Sequence, residues 1–255
     1  MAYFGYTNHI MTGTLTGGGS DVTNIQTRLG SDVWSAGGLN VAGGAYLNLD
    51  SGSTSSKWRI VALFRTNFTT SASMVVKLGT SSGAGDVYTS GTISGVVAGR
   101  NCLLVILDQE YTARYLRIEI TDTTNTDSQV TVGLAFAGPV EGLTYGPAFG
   151  SSLGLQVSQQ DAQTIGGQEY PLLNFTRYGW ELQFDAVQDA EVESLVVPLE
   201  RYASTGENVL FVPFEDGTRL MEQSVYGRPV RTGRVSVQTK NWSVNTWAFQ
   251  ISDRL

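Results

Sequence analysis

The feature that most constrains this chain is a strict two-residue alternation running from Arg114 to Ile120. Tyr115, Arg117 and Glu119 fall on one side of it, and Leu116, Ile118 and Ile120 on the other. Period two belongs to a strand with one wet face and one buried face; a helix would scatter these residues around its circumference. The pattern recurs in Ala45-Tyr46-Leu47-Asn48-Leu49, which ends at the turn Asp50-Ser51-Gly52. It appears again in Val130 to Phe136, where Val130, Val132, Leu134 and Phe136 face together. Between them lie the apolar run Trp58 to Phe64, the segment Ser73 to Leu78, and the run Cys102 to Leu107, which reads as a strand buried on both faces. No long helical period interrupts Val33 to Gly138. Strands at such short spacing predict two packed antiparallel sheets.

Composition matters here for what it excludes. Charged residues make up 15% of the chain, below the roughly 25% usual for globular domains. Thirty glycines help fill the gap, while a hydrophobic fraction of 41% is ample for a core. With a net charge of −7, and 16 Lys and Arg scattered along 255 residues, the chain lacks the basic stripe that phosphate neutralisation requires. No nucleic-acid partner is expected. Nor does any stretch approach the ~18 apolar residues of a membrane span, so no membrane insertion is expected. The first residues, Met1 to Tyr6, show neither the basic nor the apolar region of a secretory signal. Cys102, the only cysteine, lies in an apolar run and reads as a buried, inert thiol.

The order of motifs between Ala45 and Gly138 resembles the galactose-binding-like, or discoidin-type, jelly roll. Ala113-Arg114-Tyr115-Leu116-Arg117-Ile118-Glu119-Ile120 matches that family's "ARYVRIxI" strand, and Val130-Thr131-Val132-Gly133 its closing "IxVG" strand. The family's disulfide is absent. The resemblance implies an antiparallel jelly-roll β-sandwich whose end loops carry any ligand site; Val33 to Gly38 and Gly79 to Gly91 are the candidate loops, and Trp34 is a candidate to stack on a sugar, with a place in the core or at a subunit interface the favoured alternative.

A change of character follows Gly138-Pro139. Residues 1–30 are expected as an N-terminal arm, 31–140 as the jelly roll, 141–155 as a linker, and 156–255 as a smaller β-rich (α+β) domain with one helix. In that last part Trp180, Leu182 and Phe184 share a strand face. Val192, Leu195, Val196, Leu199 and Tyr202 then follow helical spacing behind the acidic start Asp189-Ala190-Glu191, with Pro198 expected to kink the helix. Val209 to Phe214 reads as a strand, Asp216-Gly217 as a turn, and Gly233 to Ile251 as a hairpin across Asn241-Trp242. This order resembles the small β-domains of bacteriophage distal-tail and tail-tip (baseplate) proteins. That resemblance implies a non-enzymatic virion structural protein, made in a bacterial cytoplasm. It would associate with other copies of itself in a trimeric or hexameric ring and with other tail proteins, with a host-surface glycan as a further partner. Trp242, Trp247, Tyr226 and Phe214 are the candidate interface anchors, a core role being an equal alternative for each.

Catalytic patterns are weak. Gly150-Ser151-Ser152-Leu153-Gly154 fits G-x-S-x-G, but that chemistry needs a strand, a sharp turn, a helix and a histidine base. His9 is the only histidine. No carboxylate pair is positioned by sequence for glycoside hydrolysis. Asp122, Asn125 and Asp127 could offer oxygens to Ca²⁺, yet lack a defined calcium-loop spacing. One Cys and one His cannot make an ordinary zinc site, and no phosphate-binding glycine loop is present. No enzyme activity and no cofactor are expected. The competing reading is a carbohydrate-binding module that attaches its bearer to a cell-surface glycan.

Overall fold

The computed structural model describes the chain except for residues 20, 39–43, 164–168, 216, 231–235, 238–243 and 254–255. The chain forms two compact units, one made of Met1–Gly142 with Leu210–Ser224, the other of Leu143–Val209 with Val225–Leu255.

The first unit begins with β1 (Ala2–Gly5), a short helix α1 (His9–Thr12), β2 (Thr14–Gly17) and β3 (Trp34–Ala36). Then come β4 (Ala45–Asp50), β5 (Lys57–Thr66), β6 (Ser73–Gly79), β7 (Tyr88–Thr89), β8 (Ile93–Ser94), β9 (Leu103–Thr112), β10 (Tyr115–Thr121), β11 (Val130–Gly138) and β12 (Glu141–Leu143). One sheet runs β2-β4-β10-β6-β7 with β8 also on β6; the other runs β3-β11-β5-β9. Every pairing with a given register is antiparallel. These are the antiparallel sheets that the alternation calls for, in the jelly-roll β-sandwich that the resemblance implies. Leu47, Leu49, Met74, Val76, Leu78, Leu116, Ile118 and Ile120 are buried from the first sheet, and Trp34, Ile60, Ala62, Val132, Leu134 and Phe136 from the second. At ~25 cal/mol per Å² of apolar surface, such burial dominates the stability of this unit.

Residues 1–30, expected as an arm, are built into this unit. β1 pairs with the strand Val209–Val212 through Tyr3, Phe4 and Gly5, β2 pairs with β4, and Phe4, Ile10 and Ile25 are buried. Asn8 fastens the segment. Its Nδ2 donates to Ala135 O at 2.8 Å, while its Oδ1 accepts from Ala137 N at 3.0 Å and from Ile10 N at 3.1 Å. Phe4 meets Phe211 with ring centroids 5.0 Å apart. Gly5 is required beside them, since a Cβ there would lie 2.4 Å from the tip of the Phe136 ring.

The second unit holds β13 (Ser152–Gln163) and β14 (Glu169–Gln188), then α2 (Asp189–Glu191), a π-helical turn (Val192–Val196) and α3 (Val197–Ser204). After β15 (Val209–Val212) and α4 (Gly217–Gln223), most of whose residues return to the first unit, come β16 (Val225–Val230), β17 (Ser236–Val237) and β18 (Val244–Asp253). Within this unit the strand order is β16-β18-β14-β13, with β17 on β18. The helix has the expected acidic start, Glu191 Oε2 accepting from Gln188 N at 2.9 Å, and buries Leu195, Val196 and Leu199. Pro198 falls just past a π turn within one continuous helical run, so its missing N–H lies where the ladder widens and not at a free helix start. The preceding residues widen into the π turn. The span 141–155, expected as a linker, contains β12 and the start of β13. Asp216 and the Asn241-Trp242 turn lie outside the described residues; Gly217, expected in a turn, opens α4.

Candidate ligand-binding face

The outer face of the β2-β4-β10-β6-β7 sheet gathers charged, polar and aromatic side chains. It follows from the alternation in β10: with Leu116, Ile118 and Ile120 buried, Tyr115, Arg117 and Glu119 must point outward, and all three are half-buried there. Register supplies their neighbours. On one side β4 sets Asp50 opposite Tyr115, Asn48 opposite Arg117 and Tyr46 opposite Glu119. On the other side β6 sets Gly79, Lys77 and Val75 opposite the same three. β2 adds Thr16 opposite Asn48, and β7 adds Thr89 opposite Lys77. The row Thr16–Asn48–Arg117–Lys77–Thr89 therefore crosses five strands, each step a direct cross-strand neighbour.

Arg117 organises the centre. Its Nε donates to Glu119 Oε1 at 2.7 Å, its Nη1 to Asn48 Oδ1 at 3.3 Å, and its guanidinium lies 4.2 Å from the centroid of the Tyr46 ring. Lys77 Nζ donates to the same Glu119 Oε1 at 2.8 Å. Burial acts to raise the Glu119 pKa, but the hydrogen bonds and charges of Lys77 and Arg117 outweigh it and hold the carboxyl below its ordinary value. At the next row Arg114 grips Asp50 through two parallel bonds of 2.8 and 2.9 Å. Those bonds, with one from Gly52 N, bring the Asp50 pKa down to about 2. Arg117 Nη2, the Asn48 side-chain NH₂, the Tyr46 hydroxyl and Glu119 Oε2 make no hydrogen bond to any described residue. The face thus holds planar donors and acceptors fixed by ion pairs, with capacity left over.

A loop forms its rim. Thr80 donates from N and Oγ1 to Asp86 at 3.0 and 2.6 Å, which folds residues 80–86 back on themselves. Gly83, at φ +80°, sits where a Cβ would be 3.7 Å from Arg117 Nη1, and at Gly85 a Cβ would come within 2.2 Å of Thr89 Oγ1. The Gly79–Gly91 loop, singled out from sequence, therefore borders this face. Its own hydroxyls are not the centre of the site.

The other sequence candidates fall elsewhere. Trp34 is fully buried in β3, its Nε1 donating to Gly18 O at 3.1 Å, and it offers no ring face to a ligand. Trp247 is buried and stacked on Phe184 at 5.4 Å, and Tyr226 is buried too, so both are core residues of the second unit and not exposed anchors. Phe214 is partly exposed, with the Arg219 guanidinium 5.8 Å from its ring centroid. Trp242 lies outside the described residues. Asp122 is buried, accepting from Thr69 N at 2.9 Å, Ser71 Oγ at 3.0 Å, Asn125 Nδ2 at 3.2 Å and the Thr69 hydroxyl. Those oxygens latch two loops together. Among the described residues no group of three or more His, Cys, Asp or Glu could hold a metal ion. Ser152 of the G-x-S-x-G pattern opens strand β13, opposite Glu181, without the strand–turn–helix its chemistry needs.

No family model and no curated protein matches the chain. Solved structures similar to part of it include the lectin domain of lectinolysin complexed with Lewis b antigen (16% identity, 51% of this chain and 95% of that one, TM-score 0.38). Others are a chitosan-binding module of a chitosanase/glucanase from Paenibacillus sp. IK-5 (14%, 53% and 99%, 0.38) and a Streptococcus pneumoniae fucose-binding module (12%, 52% and 94%, 0.37). At these values the likeness assigns no ligand to this chain.

Proposed function

We propose that this chain is a non-catalytic carbohydrate-binding protein whose jelly-roll unit holds sugar on the outer face of the β2-β4-β10-β6-β7 sheet. The observation that carries this is the interleaving of unspent donors and acceptors with aromatic rings: Arg117 Nη2, Asn48 Nδ2 and Glu119 Oε2 beside Tyr46, with Tyr115 at the next row. A sugar hydroxyl both donates and accepts, so a face offering only one kind of group would leave half of each hydroxyl unpaired. The C–H face of a pyranose ring, in turn, needs an apolar plane such as a tyrosine ring. Ion pairs hold the side chains in position before any ligand arrives, which lowers the ordering cost of binding. The test is a glycan array on the whole chain, followed by calorimetry on the best ligand with wild type and Arg117→Ala. Loss of about tenfold or more in affinity, with the thermal midpoint little changed, supports the site; unaltered affinity places the ligand elsewhere.

A second reading, assembly with other copies as a tail-tip structural subunit, draws on the second unit. Phe149 is wholly exposed, and Leu155 and Val157 are exposed on β13, an edge strand. Light scattering over a range of concentrations tests it: a discrete trimer or hexamer favours it, and a clean monomer removes self-driven assembly.

A further inference from the structure

We infer that the sugar held on this face carries a negative charge, so that the ligand class is acidic carbohydrate; this rests on the carbohydrate-binding reading above. The argument begins with charge placement. Arg117 and Lys77 are directly opposite each other across the β10–β6 pair, and like charges in that relation destabilise a sheet. Both turn to the same acceptor atom, Glu119 Oε1, at 2.7 and 2.8 Å. One carboxylate thus answers two cations. The other charges of the face do not make up the difference, since Arg114 and Asp50 form a closed, bidentate pair. Asp86 is turned onto Thr80 N and Oγ1 in the rim.

The central row therefore sets two cations, on side chains only 19% and 28% exposed for Arg117 and Lys77, against the single carboxylate of Glu119, while Asp86 at the rim spends its charge on Thr80. This occurs in a chain with 23 acidic residues against 16 basic ones, where an accidental local surplus of positive charge is the less expected outcome. The surplus also has a direction. Arg117 Nη2 has no partner among the described residues, and Lys77 donates only one of its ammonium hydrogens. Two cationic donors side by side suit the paired oxygens of a carboxylate or a sulfate ester, with charge-assisted bonds roughly twice as strong as neutral ones. The neutral groups around them, Asn48, Thr16, Thr89 and the two tyrosines, remain for hydroxyls and ring faces.

The experiment measures affinity of the whole chain for three probes: polygalacturonate, a sulfated galactan and neutral galactan, each at low ionic strength. Wild type is expected to bind at least one anionic polymer about tenfold or more tightly than the neutral one. Which of the two wins distinguishes carboxylate from sulfate. Lys77→Gln is expected to collapse that preference ratio towards unity, whereas Arg201→Gln, which removes the same charge from the exposed surface of α3, leaves the ratio unaltered. Equal affinity for acidic and neutral polymers in wild type overturns this inference while leaving carbohydrate binding standing. Failure to bind these probes or any glycan on the array overturns both. Single-stranded DNA bound as tightly as the acidic sugars also overturns it, because the face would then be a general polyanion contact. A thermal scan of each variant guards against misfolding, and Lys77→Arg, which keeps the charge, is expected to retain the preference.

Discussion

Arg117 and Tyr46 sit diagonally across the β10–β4 pair, with the guanidinium 4.2 Å from the ring centroid. The contact fixes both planes at once: the ring limits where the guanidinium can lie, and Glu119 and Asn48 complete the restraint from its edge. A cation over an aromatic face at a partly exposed site is worth about 0.5–1 kcal/mol. Its larger consequence is that the unspent Nη2 is presented in one orientation.

Removing the ring should therefore affect binding more than folding. Tyr46→Ala is expected to weaken sugar binding by about tenfold, about 1.4 kcal/mol, through lost stacking surface and a loosened Arg117. Tyr46→Phe, which keeps the ring and drops the hydroxyl, should fall between. Because the side chain is half-buried, stability should drop by no more than about 1 kcal/mol. Calorimetry and a urea titration read the two quantities. A large stability loss with little change in affinity would show that the pair serves only the sheet.

Asn8 makes the opposite case, a polar residue whose work is structural. Its amide bridges Ala135 O and Ala137 N of β11 and also accepts from Ile10 N at the start of α1. Asn8→Ala would leave buried backbone groups without partners at about 1–3 kcal/mol each. The expected loss is about 3 kcal/mol or more, read as a lower urea midpoint at unchanged slope. A loss below 1 kcal/mol would mean that the amino-terminal segment is held by its apolar side chains alone.

Much of the first unit was legible because its strands carry their own burial code. Tyr115 to Ile120, Ala45 to Asp50 and Val130 to Phe136 alternate, and each became a strand within a residue or two of the reading. Residues 1–30 were misread because Gly17-Gly18-Gly19 looks like a break. What orders Phe4 is Phe211, about two hundred positions away, which no local pattern announces. The β13–β14 hairpin was missed in part because Ser158 to Gln163 is polar at every position but Ala162 and shows no period. The candidate face escaped for a related reason. The outward residues of β10 were visible, but Asn48, Tyr46 and Lys77 join them only through register, which depends on pairing between separate strands. Trp34 leaves two readings open by type, and the structure shows the core one: a large ring in a jelly roll fills a core as readily as it stacks on a sugar.

His9 supplies a pH test free of other imidazoles, being the only histidine. Its ring lies edge-on to Trp58 at 4.8 Å, and Nε2 is 3.2 Å from Lys57 O. Burial lowers its pKa, opposed by the hydrogen bond to the Lys57 carbonyl. The folded state therefore favours the neutral ring. Its contribution is fully present above the unfolded value near 6.5 and is lost as pH falls through the lower folded value. The thermal midpoint should decline between pH 8 and pH 5.5 in wild type. In His9→Gln it should start lower and stay flatter over that window, where ordinary carboxylates do not titrate. A wild-type midpoint that rises on acidification would contradict this.

Trp34 separates core from ligand contact most directly. It is fully buried, pairs opposite Val132, and its Nε1 reaches Gly18 O at 3.1 Å. Trp34→Phe retains most of the apolar surface but leaves that carbonyl without its donor and a gap where the larger ring stood, so a loss of about 1–3 kcal/mol is expected. Trp34→Ala removes the ring altogether and should cost about 3–5 kcal/mol. For Trp34→Phe, held well below its melting temperature, affinity for the sugar should match wild type, because nothing on the β2-β4-β10-β6-β7 outer face has been touched. If Trp34→Phe loses binding while its fold and midpoint hold, the ligand site belongs at the β3 end of the sandwich and not on the face centred on Arg117.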